Sequence, residues 1–299
     1  MFPSDEERNT MRTKADSTKD STKYNGQDIP VHYLDDRHFD IHPLGECISG
    51  LIEGHHRHDF FEILWFTSSQ AECHYIDFKP YPVKAGLFYF MVPGQVHAFT
   101  GRNPEGYVLV FSRDFFSEIM DDRFRMLFNP FMNEGLEAGG ETSQVLKGIV
   151  RLMMTENAGS RELHILQAYM KAFLFQLSRL CSEIGFSLDR SGKRMRDLFD
   201  LLERGFRAER QAGYYANRLG LTPKRLNEIL KQRFGSTLTQ LLHNRLVLEA
   251  KREIAYGRKN MKEIAFELGF SDQAYFSRFF KVQTGMTPES FRHKMLEVA

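Results

Sequence analysis

Ala216-Asn217-Arg218-Leu219-Gly220-Leu221-Thr222-Pro223-Lys224-Arg225-Leu226, running on to Lys231 and Gly235, has a partner later in the chain. It is Ala265-Phe266-Glu267-Leu268-Gly269-Phe270-Ser271-Asp272-Gln273-Ala274-Tyr275-Phe276, running on to Lys281 and Gly285. Gly220 and Gly269 lie 49 residues apart. One extra residue after the second turn puts Leu226 with Phe276, Leu230 with Phe280 and Gly235 with Gly285 at a separation of 50. This duplication decides the fold of the last hundred residues.

Each copy reads as helix, tight turn, helix. Ala216 and Ala265 are small enough for a second helix to cross closely, and Gly220 and Gly269 can take the positive φ that ends the first helix. Thr222 and Ser271 stand where an N-cap hydroxyl would accept from free N–H groups, with Pro223 at a first helical position. The exposed faces of the second helices are polar or basic: Lys224, Arg225, Asn227 and Lys231, then Gln273, Ser277, Arg278 and Lys281. One such hairpin is an ordinary element of a helical bundle. Two of them, held by a helix from about Leu238 to Ile254, can set two readers roughly 34 Å apart, one duplex turn, in successive major grooves.

Charge divides the same way. The chain as a whole carries +1, but from Lys193 onward there are 21 Lys and Arg against 12 Asp and Glu, leaving 19 against 27 in the first 192 residues. A basic segment tied to an acidic one fits phosphate binding by one half. At 299 residues and 42% hydrophobic content the chain can bury two cores. Residues 1–28 are nearly devoid of apolar side chains and read as a disordered tail without a signal peptide. Cys47, Cys73 and Cys181 are too few and too scattered for a disulfide framework, and the longest apolar run, Leu87 to Val92, is far short of a membrane span. Cytoplasmic localisation is expected.

Between about Ile29 and Phe111 the texture is one of short strands. Phe60 to Phe66, Cys73 to Phe78, Leu87 to Val92 and Tyr107 to Phe111 are aromatic and β-branched, separated by Lys79-Pro80, Pro93-Gly94 and Asn103-Pro104. A small antiparallel barrel or sandwich follows. From Phe115 the pattern is helical, and Leu163, Leu166, Tyr169, Met170, Phe173, Leu174, Leu177 and Leu180 form an apolar stripe that packs on its own domain or pairs two chains. Alternation points His56, His58, Glu62, Leu64, Tyr75, Tyr89 and His97 into the barrel and sends Trp65 toward the helices.

The run Ile264 to Lys281, followed by Gly285-Met286-Thr287-Pro288 and Phe291-Arg292, resembles the signature of the AraC/XylS family of bacterial transcription regulators. The resemblance implies a double helix-turn-helix domain acting on double-stranded promoter DNA in a homodimer, with RNA polymerase contact typical of the family. Carried over residue by residue, it puts Lys224, Arg225, Asn227 and Glu228 on bases from the first reading helix and Gln273, Ala274, Ser277 and Arg278 from the second. Thr222, Lys231, Ser271 and Lys281 suit phosphates. Arg278 matches guanine and Gln273 adenine by hydrogen-bond pattern, whereas Glu228 would accept from cytosine or repel phosphate.

Gly50, then His56-Arg57-His58 and Glu62, with Gly86 and Pro93-Gly94-Gln95-Val96-His97, resembles the metal motifs of the cupin fold, with Ser69 and the adjacent Pro93-Gly94 departing from it. Three imidazoles and a carboxylate suit a divalent iron, manganese, nickel or zinc ion. The same groups also suit the polar contacts of a small-molecule effector, or a structural role. The expectation is therefore an α+β chain of two domains. A tail (1–28) precedes a cupin-like sensor barrel (29–114), a helical dimerisation segment (115–184), a linker (185–193) and an all-α double helix-turn-helix domain (194–299). His56, His58, Glu62, Tyr75, Tyr89 and His97 are the ligand candidates. No catalytic residue and no required cofactor are assigned, and His56, His58, Glu62 and His97 are the candidates should a metal bind. Two other readings stay open: a metal-dependent cupin enzyme with an accessory DNA-binding half, and a constitutive DNA binder whose barrel only dimerises.

Overall fold

Strand alternation organises the first half of the chain and helical periodicity the second. A computed structural model describes residues 31–32, 34, 38–45, 55–68, 73–100, 104–129, 135–183 and 190–298. The expected tail and residues 185–189 of the expected linker lie outside the described residues. The chain divides into two compact units, one ending with the helix Leu163–Glu183 and the other starting with the helix Arg190–Gly205. That second helix begins inside the stretch expected as linker.

The first unit holds β1 (Val31–His32), β2 (Phe39–Pro43), β3 (His56–His58), β4 (Phe61–Phe66), β5 (Cys73–Ile76), β6 (Lys79–Tyr81), β7 (Leu87–Met91), β8 (Val96–Thr100), β9 (Gly106–Phe111) and β10 (Leu136–Glu137). They form two five-stranded sheets, ordered β1-β3-β8-β5-β6 and β10-β7-β4-β9-β2. β10 falls in a segment expected to be helical and extends the second sheet by pairing with β7. The register sorts the side chains of that sheet, because residues directly opposite share a face. Glu62 lies opposite Met91 and Val110, and Leu64 opposite Tyr89 and Val108, so these point to the interior. Ile63, Trp65, Phe88, Phe90, Leu109 and Phe111 take the other face, packing with α1 (Arg113–Ile119), α2 (Gly140–Ala158) and α3 (Leu163–Glu183).

Trp65 stacks on Phe88 at 4.8 Å and meets Phe173 of α3 at 6.4 Å, between sheet and helices as its parity requires. Of the apolar stripe on α3, Leu166, Met170, Phe173, Leu174 and Leu177 are buried in this same cluster. The stripe therefore packs on its own unit, since covering the outer face of a sheet removes more apolar area from water than a single exposed helix seam can.

The second unit is helical: α4 (Arg190–Gly205), α5 (Ala212–Arg218), α6 (Pro223–Phe234), α7 (Leu238–Tyr256), α8 (Met261–Glu267), α9 (Gln273–Thr284) and α10 (Pro288–Val298). A capping box of Thr237 and Gln240 starts α7, and Gly257 ends it in the left-handed conformation. At 19 residues α7 is roughly 28 Å long. It contacts α6, α8, α9 and α10. Arg245, buried on α7, is held by Glu203 at 2.8 Å and Glu249 at 2.8 Å and lies 4.2 Å over the Phe206 ring. Glu249 also takes Arg207 at 2.6 Å. Burial alone would raise the Glu249 carboxyl, but the three surrounding guanidinium groups of Arg245, Arg252 and Arg207 bring it down to about 2.

Among the described residues, no helix is long and apolar enough to cross a membrane.

Candidate functional site: reading helices and barrel interior

Leu226 and Leu230 are buried on α6, and Phe276 and Phe280 occupy the corresponding positions of α9. Around these anchors the pattern of exposed, half-buried and buried residues repeats position for position from 222–240 to 272–290. Gly235 and Gly285 end the two helices with φ of +63° and +82°, and Gly220 and Gly269 make the preceding turns at +64° and +76°. Equal burial leaves equivalent faces in solvent. Thr222, Lys224, Arg225, Glu228 and Lys231 are exposed on the first unit, and Ser271, Gln273, Ala274, Arg278 and Lys281 on the second.

Two expectations for these helices change. Asn227 is half-buried, and its Oδ1 accepts from the Leu238 N–H at 2.9 Å. An amide oxygen committed to the first turn of α7 is not free to read adenine, so Asn227 serves the scaffold. Ser277, 50 residues on, is half-buried too. At the second N-terminus the cap is Asp272, whose Oδ1 accepts from Tyr275 N–H at 2.7 Å, whereas Ser271 only bonds Asp272. The extra residue after the second turn moves the cap one position. In the first unit Thr222 caps as expected, accepting from Arg225 N–H at 3.2 Å, with Pro223 in the first turn.

The side chains differ more than the backbones. Arg225 is paired with Glu228 at 3.1 Å along the exposed face of α6. The matching positions of α9 carry Tyr275 and Arg278, with Tyr275 exposed beside the helix start. Tyr275 has no place in the carried-over reading set. Its signal was its position, since an exposed side chain in the first turn of such a helix is placed to face a groove whatever its charge.

In the barrel, β3 and β8 pair so that His56 lies opposite His97, and β5 and β8 so that Ile76 lies opposite His97. The inward residues of β5 are therefore His74 and Ile76. Tyr75, expected inside, is half-buried on the opposite face beside Ala98. The segment Cys73-His74-Tyr75-Ile76 has an aromatic ring at both parities, so its own alternation could not choose. The partner strand did.

His32, His56, His58, His74 and His97 are all buried together with Glu62. His58 Nε2 lies 3.2 Å and His97 Nε2 3.6 Å from Glu62 Oε2. The His56 ring is 3.9 Å from that of His97, centroid to centroid. His74 Nε2 is 3.2 Å from His97 Nδ1. Burial pushes His74 down to about 3 and holds His97 well below the usual imidazole range, with the neighbouring histidines adding to the shift. Tyr89, as expected, is inside. Its hydroxyl donates to Pro82 O at 2.8 Å, and burial raises its pKa. Around these groups stand Leu64, Phe66, Met91, Val108 and Val110.

One unit that presents two equivalent helices, in a chain whose other unit is a barrel with a polar cluster in its interior, fits a two-domain DNA-binding regulator. Comparison with known proteins agrees. Residues 215–294 match the model of a helix-turn-helix domain and residues 51–174 that of an AraC-like ligand binding domain. Among curated proteins, the HTH-type transcriptional activator RhaS of Pectobacterium carotovorum subsp. carotovorum (strain PC1) is 27% identical over 258 residues, covering 80% of this chain and 87% of its own. RhaS of Yersinia pestis bv. Antiqua (strain Angola) is 23% identical over 253 residues, with 80% and 89% covered. Among solved structures, fatty-acid-bound ToxT of Vibrio cholerae strain SCE256 matches with a TM-score of 0.43 at 16% identity, covering 85% of this chain and 91% of that one. Over most of its length the chain is similar to transcription regulators of the AraC/XylS type. It is a DNA-binding regulator with a cupin-like, AraC-type ligand-binding domain and a double helix-turn-helix domain.

Proposed function

We propose that the chain acts in the cytoplasm as a homodimer that reads promoter DNA with α6 and α9 and changes its grip on that DNA when a small molecule enters the barrel. The repeated burial register carries this reading. It puts Lys224, Arg225 and Glu228 on one helix and Ala274, Tyr275 and Arg278 on the other at equivalent exposed positions, with Gln273 exposed at the start of the second and a helix of about 28 Å between them. Arg278 is assigned to guanine and Gln273 to adenine. Lys231, Lys281, Thr222 and Ser271 are assigned to phosphates, and Glu228 to holding Arg225.

His56, His58, Glu62, Tyr89 and His97 are the ligand contacts, with His74 replacing Tyr75. A ligand there shifts promoter binding only by the difference in its affinity for two conformations of the protein. The chain is read as a regulator and not an enzyme, in keeping with the transcriptional activators it resembles. Dimerisation and contact with RNA polymerase follow the family. For the dimer, Val145 and Leu152 on α2 and Ile165 on α3 are exposed apolar side chains.

Genome-wide capture of bound DNA with the wild-type chain and Arg278→Ala tests the reading. Promoter sites with two conserved blocks one helical turn apart, weakened in the variant, are expected. Binding spread evenly and unaffected by the substitution would reduce the second unit to an electrostatic anchor.

A further inference from the structure

The two helix-turn-helix copies also correspond just before their first helices, and there their charges part. α5 (Ala212–Arg218) and α8 (Met261–Glu267) align at the same 49-residue offset as the turn glycines. Two residues before each helix stand Arg210 and Lys259, and at each helix end Arg218 and Glu267. Lys259 is paired inside its own copy, with Glu267 and, at 2.8 Å, with Glu253. In the first copy the place of Glu267 is taken by a second cation, so the same fold-back of Arg210 would bring two like charges together.

Arg210 reaches across to the second turn instead. Its Nη2 donates at 2.8 Å to Leu268 O, a carbonyl at the end of α8 that the helix itself leaves over, and the guanidinium lies 4.1 Å over the Phe270 ring. The backbone closes on the same place. A Cβ on Gly269 would fall 2.1 Å from Arg207 O, whereas one on Gly220 would meet nothing within 4 Å. Phe270 passes the contact on to the reader: its ring meets Tyr275 at 5.5 Å, Phe276 at 5.4 Å and Phe279 at 5.1 Å, all on α9. Phe279 in turn meets His243 of α7 at 5.1 Å. One planar guanidinium thus bonds the turn and covers the ring against which the first half of α9 is set.

We propose that Arg210 is a positioning residue that determines specificity in the second helix-turn-helix copy alone: by fixing the pose of α9 it holds Gln273, Tyr275 and Arg278 in register with the bases. The inference rests on the reading of α6 and α9 as the DNA readers. Base edges are discriminated only while the reading side chain is held in place, whereas phosphate contacts carry no sequence information. Loss of Arg210 therefore shows in base preference at one block of the operator, and in overall affinity only as one lost positive charge does.

Selection of bound duplexes from a randomised library by the full chain tests this, with thermal melting measured on every variant. Arg210→Met should lower base discrimination about 5-fold or more in one block only, the block that Tyr275→Ala and Arg278→Ala also relax. Arg210→Lys should relax the same block although it keeps the charge, because an ammonium cannot lie flat on Phe270 and donate in the plane to Leu268. It carries the comparison if Arg210→Met does not fold. Lys259→Met, which removes the cation at the corresponding position, should leave both blocks as they are. Discrimination that is unchanged by Arg210→Met and Arg210→Lys, or that falls alike in both blocks, overturns the inference and leaves the regulator reading standing. So does an equal loss from Lys259→Met. A wild-type chain that selects no sequence overturns the regulator reading and this inference with it.

Discussion

The two helix-turn-helix units share one burial pattern and differ in almost everything laid over it. Their buried anchors and left-handed glycines coincide across an offset of 49 or 50 residues. Yet α6 carries an Arg225–Glu228 pair where α9 presents Tyr275 and Arg278. The turns differ as well. A side chain on Gly220 would meet nothing, whereas a Cβ on Gly269 would land on the Arg207 carbonyl oxygen and close to Arg210. Arg210 also donates to Leu268 O at 2.8 Å and lies 4.1 Å over the Phe270 ring. The second turn is therefore packed against the segment between α4 and α5, and the first is open. Sharing a core pattern preserves the geometry of a reader; it does not preserve what is read or how firmly the reader is seated.

Substitution at the turns should break the likeness most sharply. Gly269→Ala is expected to cost more than about 3 kcal/mol, because left-handed strain adds to a backbone clash that cannot relax, and Gly220→Ala only about 1 kcal/mol. Chemical denaturation of both variants checks this, and equal losses would mean that the packing around Gly269 yields.

Glu249→Ala comes next, at about 3 kcal/mol, since it strips a carboxylate from a buried guanidinium. Because the folded carboxyl is held at about 2, below its ordinary value of 4.5, its contribution is present above that ordinary range and lost as pH falls through about 2. Melting curves taken down an acid series should show the wild-type and Glu249→Ala chains converging toward that limit.

For DNA, Arg278→Ala should cost roughly 1–3 kcal/mol of promoter affinity and relax preference at one base pair. Arg225→Ala should cost less, because the wild-type guanidinium must loosen from Glu228 before it can reach a base. Binding assays on a set of single-base operator variants distinguish the two, and a larger loss from Arg225→Ala would reverse the ranking of the units. Lys231→Ala and Lys281→Ala should each weaken all sites alike and reduce the salt dependence by about one counterion.

The smallest effects are at the caps. Thr222→Ala is expected to lose about 1 kcal/mol. In the second unit Asp272→Ala should lower the melting temperature more than Ser271→Ala does. The reverse order would place the cap back on Ser271.

The duplicated turn was legible in residues because its requirements are local. A glycine with positive φ, a cap and buried residues at helical spacing are specified within about twenty positions. The same held for β4, β7 and β9, whose aromatic runs are long enough to show their period, and for the outward placement of Trp65. Where local pattern was ambiguous, partners decided. Tyr75 and His74 were separated only by the register of β5 on β8, β10 formed because β7 offered an unpaired edge, and Asn227 was drawn off the reading face by the free N–H of Leu238.

By itself, then, the chain's sequence determined two domains, the doubled reader and a barrel rich in histidine. Only tertiary structure decided that His32 and His74 join His56, His58, His97 and Glu62 in the buried interior, that the stripe on α3 covers a sheet, and that the two turns are seated differently. The physical reason is range. Torsional preference and amphipathic period act between neighbours in the chain, whereas desolvation, pairing register and steric closure act between residues that only the fold brings together.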